Sequence, residues 1–277
     1  MEMAYKKKQM QKIFIYAVLV LCAIVVIYPF FYMVMNSFKT GPEIQHNPTA
    51  LPQGLSFAGY TGMFDTLNVP LLFFNTTLVA GILTLLNTFI SAMVAYGIVK
   101  TDVPGKKILF RIILASMMIP GILLTIPTYM MMYSWDWINT YRVLIFPGSV
   151  SAYNIFLVIQ FMKQVDDAYL EAARIDGAGE WDIFCKIVLP MCKPVLATVF
   201  ILAFMGAWND LFGPLLYIRD KSLWTLQLGL YRFNTSTPGT YLEQIYAAMT
   251  FITIPVVIVF LFLQKNFIKA FTGIGLK

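Results

Sequence analysis

Histidine and cysteine are nearly missing from this chain. Its 277 residues include one histidine, His46, and three cysteines, Cys22, Cys185 and Cys192. Without a Cys-x-x-Cys pair, that supply excludes a structural zinc site and a disulfide framework. Charge is scarce as well: Asp, Glu, Lys and Arg make up 12% of the residues, against about 25% in a soluble domain. Also absent is the Gly-x-x-x-x-Gly-Lys-[Ser/Thr] loop that cradles nucleotide phosphates, so the chain is not expected to hydrolyse ATP. No catalytic set and no metal site stand out.

What is present is apolar. Hydrophobic residues make up 59% of the chain and fall into runs long enough to cross a bilayer. The composition predicts an all-α integral membrane protein with six transmembrane helices. Residues 1–12 form an N-terminal segment, followed by a first span over 13–35 with Pro29 expected to kink it. That run is too long for a signal peptide, so it reads as an uncleaved span. A polar external loop covers 36–70, and a core follows over 71–268. Within the core, spans are expected at 71–99, 108–132, 143–162, 194–218 and 245–263. A charged loop lies at 163–193, an external loop at 219–244 and a tail at 264–277. Pro120-Gly121 and Pro127 interrupt the third span, which is tolerated where a neighbour or a wet cavity satisfies the freed carbonyls.

A net charge of +6 would suggest nucleic acid in a soluble protein, but here the placement of the positives decides. Only Lys39, Arg142, Arg219, Lys221 and Arg232, of 20 Lys and Arg residues, fall on one side of the six-span layout. The larger set belongs in the cytoplasm, with both termini and loop 163–193. Cys185 and Cys192 then lie on the reducing side, where no disulfide is expected.

Several polar residues lie inside spans. Thr84, Asn87, Thr88 and Ser91 share one helical face. They read either as hydrogen-bonding glue between helices or as the lining of a hydrophilic path. Tyr129, Asn154 and Trp208-Asn209-Asp210 are further candidates for that path. A carboxylate in a span is costly, so Asp210 should face a cavity or a structural partner. The Met130-Met131-Met132 run reads as adaptable packing.

The chain is organised around loop 163–193. Asp166 and Asp167 suit a helix N-terminus, Tyr169 to Ile175 are good helix formers, and Gly177 suits a left-handed helix stop. A second helix is expected from Gly179-Glu180, with Trp181, Phe184, Cys185 and Val188 on one apolar stripe and Pro190 as its stop. Together these make a helical knob with an acidic tip, suited to docking a partner.

The spacing of Glu171-Ala172-Ala173, Gly177, Ile187 and Leu189-Pro190 resembles the EAA loop of bacterial ABC-importer permeases. Seven fixed residues at that spacing would coincide by chance in about one chain in a million. The order of other patterns is similar to the carbohydrate-uptake branch, of the type of the second permease subunit of the maltose transporter. These are Ser37-Phe38-Lys39, Asn75-Thr76, Ile119-Pro120, Ile126-Pro127, Ile138-Asn139-Thr140-Tyr141, Trp208-Asn209-Asp210, Pro214-Leu215, Ile254-Pro255 and Gly275-Leu276-Lys277. Asp166-Asp167 depart from the family, whose members often place proline there.

The resemblance implies the type I ABC-importer permease fold in a bacterial cell membrane, with a non-catalytic role. It implies two copies of a cytoplasmic ABC ATPase, a second homologous permease forming a heterodimer, and an extracytoplasmic sugar-binding protein. ATP and Mg would act at the ATPase, with no cofactor bound by this chain and no nucleic-acid partner. Glu171, Ala172, Ala173, Asp176, Gly177, Trp181, Phe184, Ile187, Leu189 and Pro190 would form the ATPase-docking element. In that element Trp181 and Phe184 would fill a groove or brace the loop on the membrane core. In maltose-type systems the last outer loop probes the binding protein's sugar cleft, and here Trp224, Tyr231, Arg232, Asn234 and Tyr241 would serve. Interfacial aromatics on a solvated turn are the plainer reading of those five.

Two other classes fit parts of the chain. An ion-coupled secondary carrier or channel would need ionisable residues along its spans, and Asp210 is the clear candidate. A non-transporting scaffold would account for the docking loop but not for the polar faces and broken helices.

Overall fold

The computed structural model describes the backbone of residues 2–236 and 241–272 and the side chains of 9–235 and 241–265. The side chains of Lys6, Lys7 and Lys8 and the ending Gly275-Leu276-Lys277 lie outside the described residues. Among the described residues all regular structure is helical.

The long first helix, α1 (Glu2–Ser37), runs through Pro29 without interruption. Two short helices, α2 (Gly41–His46) and α3 (Ala58–Thr66), occupy the segment expected to be irregular. Next comes α4 (Val69–Val99), whose 31 residues span about 46 Å at 1.5 Å each. The third apolar stretch is α5 (Lys106–Ser116), a 3-10 turn at Gly121–Leu124, and α6 (Thr125–Ser134), with a 97° bend between the two arms. Pro120 causes the break, because it lacks a donor N–H and disfavours helix at Ile119. Pro127 does not, since it sits in the first turn of α6, where its missing N–H is no loss.

Helix α7 (Tyr141–Ile145), a 3-10 turn at Pro147–Ser149 and α8 (Ala152–Met162) form the fourth stretch. The charged loop contains α9 (Ala168–Ile175) and a second helix over Glu180–Met191. The latter begins as α10 (Glu180–Asp182), winds as a π-helix over Ile183–Val188, and ends as α11 (Leu189–Met191). Pro190 lies inside this last turn, and the break falls at Cys192 instead. Then follow α12 (Lys193–Trp208), α13 (Phe212–Tyr217), α14 (Leu226–Ser236) and α15 (Leu242–Thr272). Two expectations change here. The fifth stretch is divided at Asn209–Leu211, and much of the outer segment 219–244 is helix α14.

Among the described residues four helical stretches are long and apolar enough to cross a membrane: Gln9–Ser37, Val69–Val99, Tyr141–Met162 and Leu242–Lys265. Two bent pairs pass the same test together, Lys106–Ser116 with Gly121–Ser134 and Glu180–Met191 with Lys193–Trp208, which makes up to six if each bent pair counts as one span. From Gln9 to Phe31 every side chain of α1 is exposed, and Ile122, Leu123 and Ile126 are exposed at the bend of the third stretch. In a bilayer these apolar faces meet acyl chains or other helices rather than water.

The chain divides into two compact units. One holds the residues up to Val69 with Arg232–Ile254, the other Pro70–Tyr231 with the residues from Pro255. In the first, α3 packs on α15 through Gly59, where a Cβ would stand 2.4 Å from the Glu243 carbonyl oxygen. Thr66 donates to Gln244 Oε1 at 2.9 Å beside it. Lys39 is fully buried and donates to the carbonyls of Asn47 and Pro48.

Two apolar clusters stand out among the described residues of the second unit. One gathers Ala95, Ile159 and Met162 with Leu170, Ile183, Phe184 and Val188, so it roots the charged loop in the helix bundle. The other gathers Val79, Met132, Leu144, Tyr217 and Leu228.

Candidate functional site

The charged loop forms a knob with a buried root and an exposed crown. Asp166 Oδ1 accepts from the Ala168 N–H at 3.0 Å at the start of α9. Asp167 does not cap the helix; its carboxylate meets Lys100 Nζ at 2.5 Å. Leu170 points inward and is 1% exposed, whereas Glu171, Ala172, Ile175 and Asp176 are exposed and Ala173 is half-buried. Gly177 ends the helix at φ +81°, a conformation that glycine adopts without a Cβ penalty. Gly177 N donates to Arg174 O at 3.1 Å and Ala178 N to Ala173 O at 2.9 Å, the paired bonds of a Schellman stop.

The second helix departs from the expected stripe. Its π-helical turn carries one more residue than an α-turn, which alters which side chains face inward. Ile183, Phe184 and Val188 are buried, Cys185 is half-buried, and Trp181 is 60% exposed. Phe184 packs 5.2 Å from the ring of Tyr96, while Trp181 meets Phe89 edge-on at 6.4 Å. Phe184 therefore braces the knob, and Trp181 stands on its surface. Ile187 and Leu189 are half-buried and Pro190 is exposed.

The two helices of the knob are tied by charge. Arg174 Nε donates to Glu180 Oε1 at 2.9 Å, and Tyr96 Oη donates to Glu180 Oε2 at 2.5 Å. Arg174, and after it Tyr96, hold the Glu180 carboxyl below the usual carboxylate range. The same hydrogen bond raises the Arg174 guanidinium.

A second feature is an open cavity of about 450 Å³ between α4, α7, α8, α12 and α13. Its polar lining is Asn87, Ser151, Tyr153, Asn154, Asp210 and Tyr217. Asn154 Nδ2 donates to Asn87 Oδ1 at 2.7 Å, and Asn87 Nδ2 donates to Gly148 O at 3.1 Å. Asp210 Oδ1 accepts from Gly213 N at 3.1 Å, so this carboxylate both lines the cavity and holds the start of α13. The cavity thus brings together Asn87, Asn154 and Asp210 from three distant segments.

The other path candidates lie elsewhere. Trp208 is 1% exposed and packs between Phe73 and Phe204, so it belongs to the helix packing and not to the cavity. Tyr129 stacks on the lining residue Tyr217 at 5.8 Å and is not itself among the residues that line the cavity. Asn209 is exposed and accepts from Gln227 Nε2 at 3.4 Å. The buried hydroxyls of Thr84, Thr88 and Ser91 find no hydrogen-bond partner among the described residues. Ser151, Tyr153 and Tyr217 were not singled out from sequence. Only Ser151 left a trace there, as the residue three before Asn154, whose N–H its hydroxyl accepts.

On the segment 219–244, Trp224 is half-buried, with Lys221 Nζ 5.8 Å from its ring centroid. Tyr231, Arg232 and Asn234 are exposed on α14, and Tyr241 stacks on Phe233 at 5.7 Å. Asn139, at φ +60°, accepts from the backbone N–H groups of Arg219 and Asp220. Among the described residues no three His, Cys, Asp or Glu side chains group as a metal site.

Comparison with known proteins decides the family. The family described as "Binding-protein-dependent transport system inner membrane component" matches residues 87–273. This chain belongs to that family. The permease is 31% identical over 255 residues to the arabinooligosaccharides transport system permease protein AraQ of Bacillus subtilis (strain 168), covering 91% of this chain and 90% of the relative. It is 27% identical to the lactose transport system permease protein LacG of Rhizobium radiobacter, over 96% and 97% of the two chains. In fold it resembles a chain of a bacterial ABC transporter involved in the import of the acidic polysaccharide alginate. That likeness has a TM-score of 0.82 at 23% identity and covers 94% and 97% of the two chains. The permease is therefore a multi-pass membrane component of a binding-protein-dependent importer, with the helical fold of an ABC-importer permease.

Proposed function

We propose that this permease forms half of the translocation pathway of an ATP-driven importer for a neutral sugar or oligosaccharide. The observation that carries the reading is the knob, with Leu170 and Phe184 buried at its root and Glu171, Ala172, Ile175 and Asp176 presented outward. Such a surface suits a helix-in-groove contact with another protein. In this reading Glu171 supplies charge to a basic ATPase surface, Ala172 and Ala173 permit close approach, and Asp176-Gly177 forms the turn. Two copies of the ATPase bind ATP and Mg, while this chain binds no cofactor. Their closure draws the knobs together and switches the pathway by rigid-body movement.

The sugar assignment rests on relatives named for arabinooligosaccharides and lactose. The cavity supports it chemically: Asn87, Ser151, Asn154 and the tyrosines offer amides and hydroxyls, and among the described residues no Lys or Arg lines it. A hydroxyl-rich, uncharged cargo matches such groups. The permease pairs with a homologous second permease, receives cargo from an extracytoplasmic binding protein at Trp224, Tyr231, Arg232, Asn234 and Tyr241, and keeps both termini in the cytoplasm.

The test is purification of the tagged chain from its own host in mild detergent, followed by reconstitution in lipid nanodiscs. An ATPase and a second permease should co-purify, and ATP hydrolysis should rise when the binding protein carries its sugar. A chain that purifies alone and moves solute in response to an ion gradient without ATP would overturn the reading in favour of a secondary carrier.

A further inference from the structure

The knob is fastened to one helical turn at the end of α4. Lys100 Nζ donates to Val165 O and to Asp167 Oδ1, each at 2.5 Å, just before α9. At the other end of α9, Arg174 Nη2 donates to the Lys100 carbonyl at 3.2 Å. One turn earlier on α4, Tyr96 donates to Glu180 at the start of the second knob helix. The segment before the knob, its turn and its second helix thus converge on residues 96–100.

Lys100 is the unusual member of this set. Its side chain is 3% exposed, while that of its partner Asp167 is 71% exposed. A buried ammonium must keep its acceptors, because the alternative is an uncompensated charge away from water. Sliding of the knob past α4 would separate Lys100 from Val165 and Asp167 at once. The contact therefore resists relative movement in a way that apolar packing at Leu170 and Phe184, which is not directional, does not.

The opposite end of α4 is fastened as firmly. Asn75 Nδ2 donates to Ser222 O at 2.8 Å and Trp224 O at 2.9 Å, its Oδ1 accepts from Tyr141 Oη at 2.6 Å, and Thr76 Oγ1 accepts from Leu226 N at 2.8 Å. Between the two ends Asn87 reaches the cavity. An uninterrupted helix thus carries the knob at one end, the segment 222–226 at the other, and a cavity residue between them.

We infer that Lys100 is the positioning residue that locks the knob to α4, so that α4 acts as a rigid lever between the ATPase contact and the outer segment 222–226. The inference rests on the knob being the ATPase contact. Lys100 touches neither nucleotide nor cargo. Its role is to prevent knob movement from being dissipated by slippage.

The experiment uses the complete transporter in nanodiscs and reads hydrogen exchange by mass spectrometry, with ATP and vanadate as the only probe. In the wild type, vanadate trapping should change exchange in the peptides covering 163–193 and 219–226. In Lys100→Met the change at 163–193 and the rate of ATP hydrolysis should persist, while the change at 219–226 falls about tenfold. Lys100→Arg keeps the charge and two donors and should restore most of the response, which a packing role alone would not produce. Asp167→Asn removes the opposing charge but keeps an acceptor oxygen for Lys100, so it tests the same contact from its exposed side; it should weaken the distal response alone. A full distal response in both Lys100→Met and Asp167→Asn would overturn the inference while leaving the transport reading intact. Absence of any ATP effect at 163–193 in the wild type would overturn the underlying reading and the inference with it.

Discussion

Asn154 donates its amide to Asn87 at 2.7 Å across 67 positions of sequence, and Asn87 passes its own amide to the carbonyl of Gly148. Both side chains are at least 95% buried, yet they border the cavity. The pair therefore serves two ends: it satisfies buried polar groups, and it holds α4 against α8 beside the cavity.

Removing one partner should cost more than removing both. Asn87→Leu leaves the Asn154 amide and the Gly148 carbonyl without their partner, a loss of about 1–3 kcal/mol for a buried group. The double replacement Asn87→Leu/Asn154→Leu should recover part of that loss, because only the carbonyl then remains unpaired. Thermal unfolding of the purified permease in detergent checks this. Equal melting temperatures for the single variant and the wild type would show the pair to be idle.

Gly177 should resist replacement for conformational reasons, since a Cβ there meets no neighbouring atom within 4 Å. At φ +81°, alanine should destabilise the knob by about 1–2 kcal/mol. Gly177→Asn should lose less, since asparagine tolerates the left-handed region better. Hydrogen exchange of the α9 amides reads this locally, with faster exchange expected in Gly177→Ala than in Gly177→Asn. The reverse order would refute the backbone argument.

Glu171 is exposed and makes no part of the knob's root. Reversing its charge in Glu171→Arg should leave membrane insertion and melting temperature unchanged, within about 0.5 kcal/mol. Co-purification of the ATPase and sugar uptake should fall together. Wild-type uptake in that variant would remove Glu171 from the docking surface.

Arg174 and Glu180 set an acid limit on the knob. The folded-state pKa of Glu180 is depressed, so its contribution to stability is fully present above the unfolded carboxylate value. It is lost as pH falls through the lower, folded value. Between pH 5 and 8, on the unperturbed carboxylate scale of about 4.3, the knob should therefore be insensitive to pH and loosen only in more acid solution. Fluorescence of a variant retaining only Trp181 follows this, and Glu180→Gln should remove the acid transition. A transition of the same midpoint in Glu180→Gln would assign it to another group.

Much of this molecule is legible in local sequence. Apolar run length is a physical requirement of the bilayer, so the spanning stretches can be read from composition alone. The end of α9 is equally local: Gly177 supplies the left-handed residue, and the two bonds of the stop close within six positions. Pro120 breaks the third stretch through its own ring and missing donor.

Tertiary structure decided the rest. Which polar residues share the cavity depends on long-range packing, which joined Asn87, Asn154 and Asp210 but placed Trp208 among aromatics. A regular 3.6-residue period put Trp181 on the buried stripe, and the π-helical turn left it on the surface. Lys100 looked like one of several lysines in a basic turn; only the fold encloses it and gives it Val165 and Asp167. Helix and turn formation answer to neighbours a few residues away, and chemistry at that range is written in order along the chain. Burial and partnership of a charge answer to whatever the fold brings near, and that is settled only when distant segments meet.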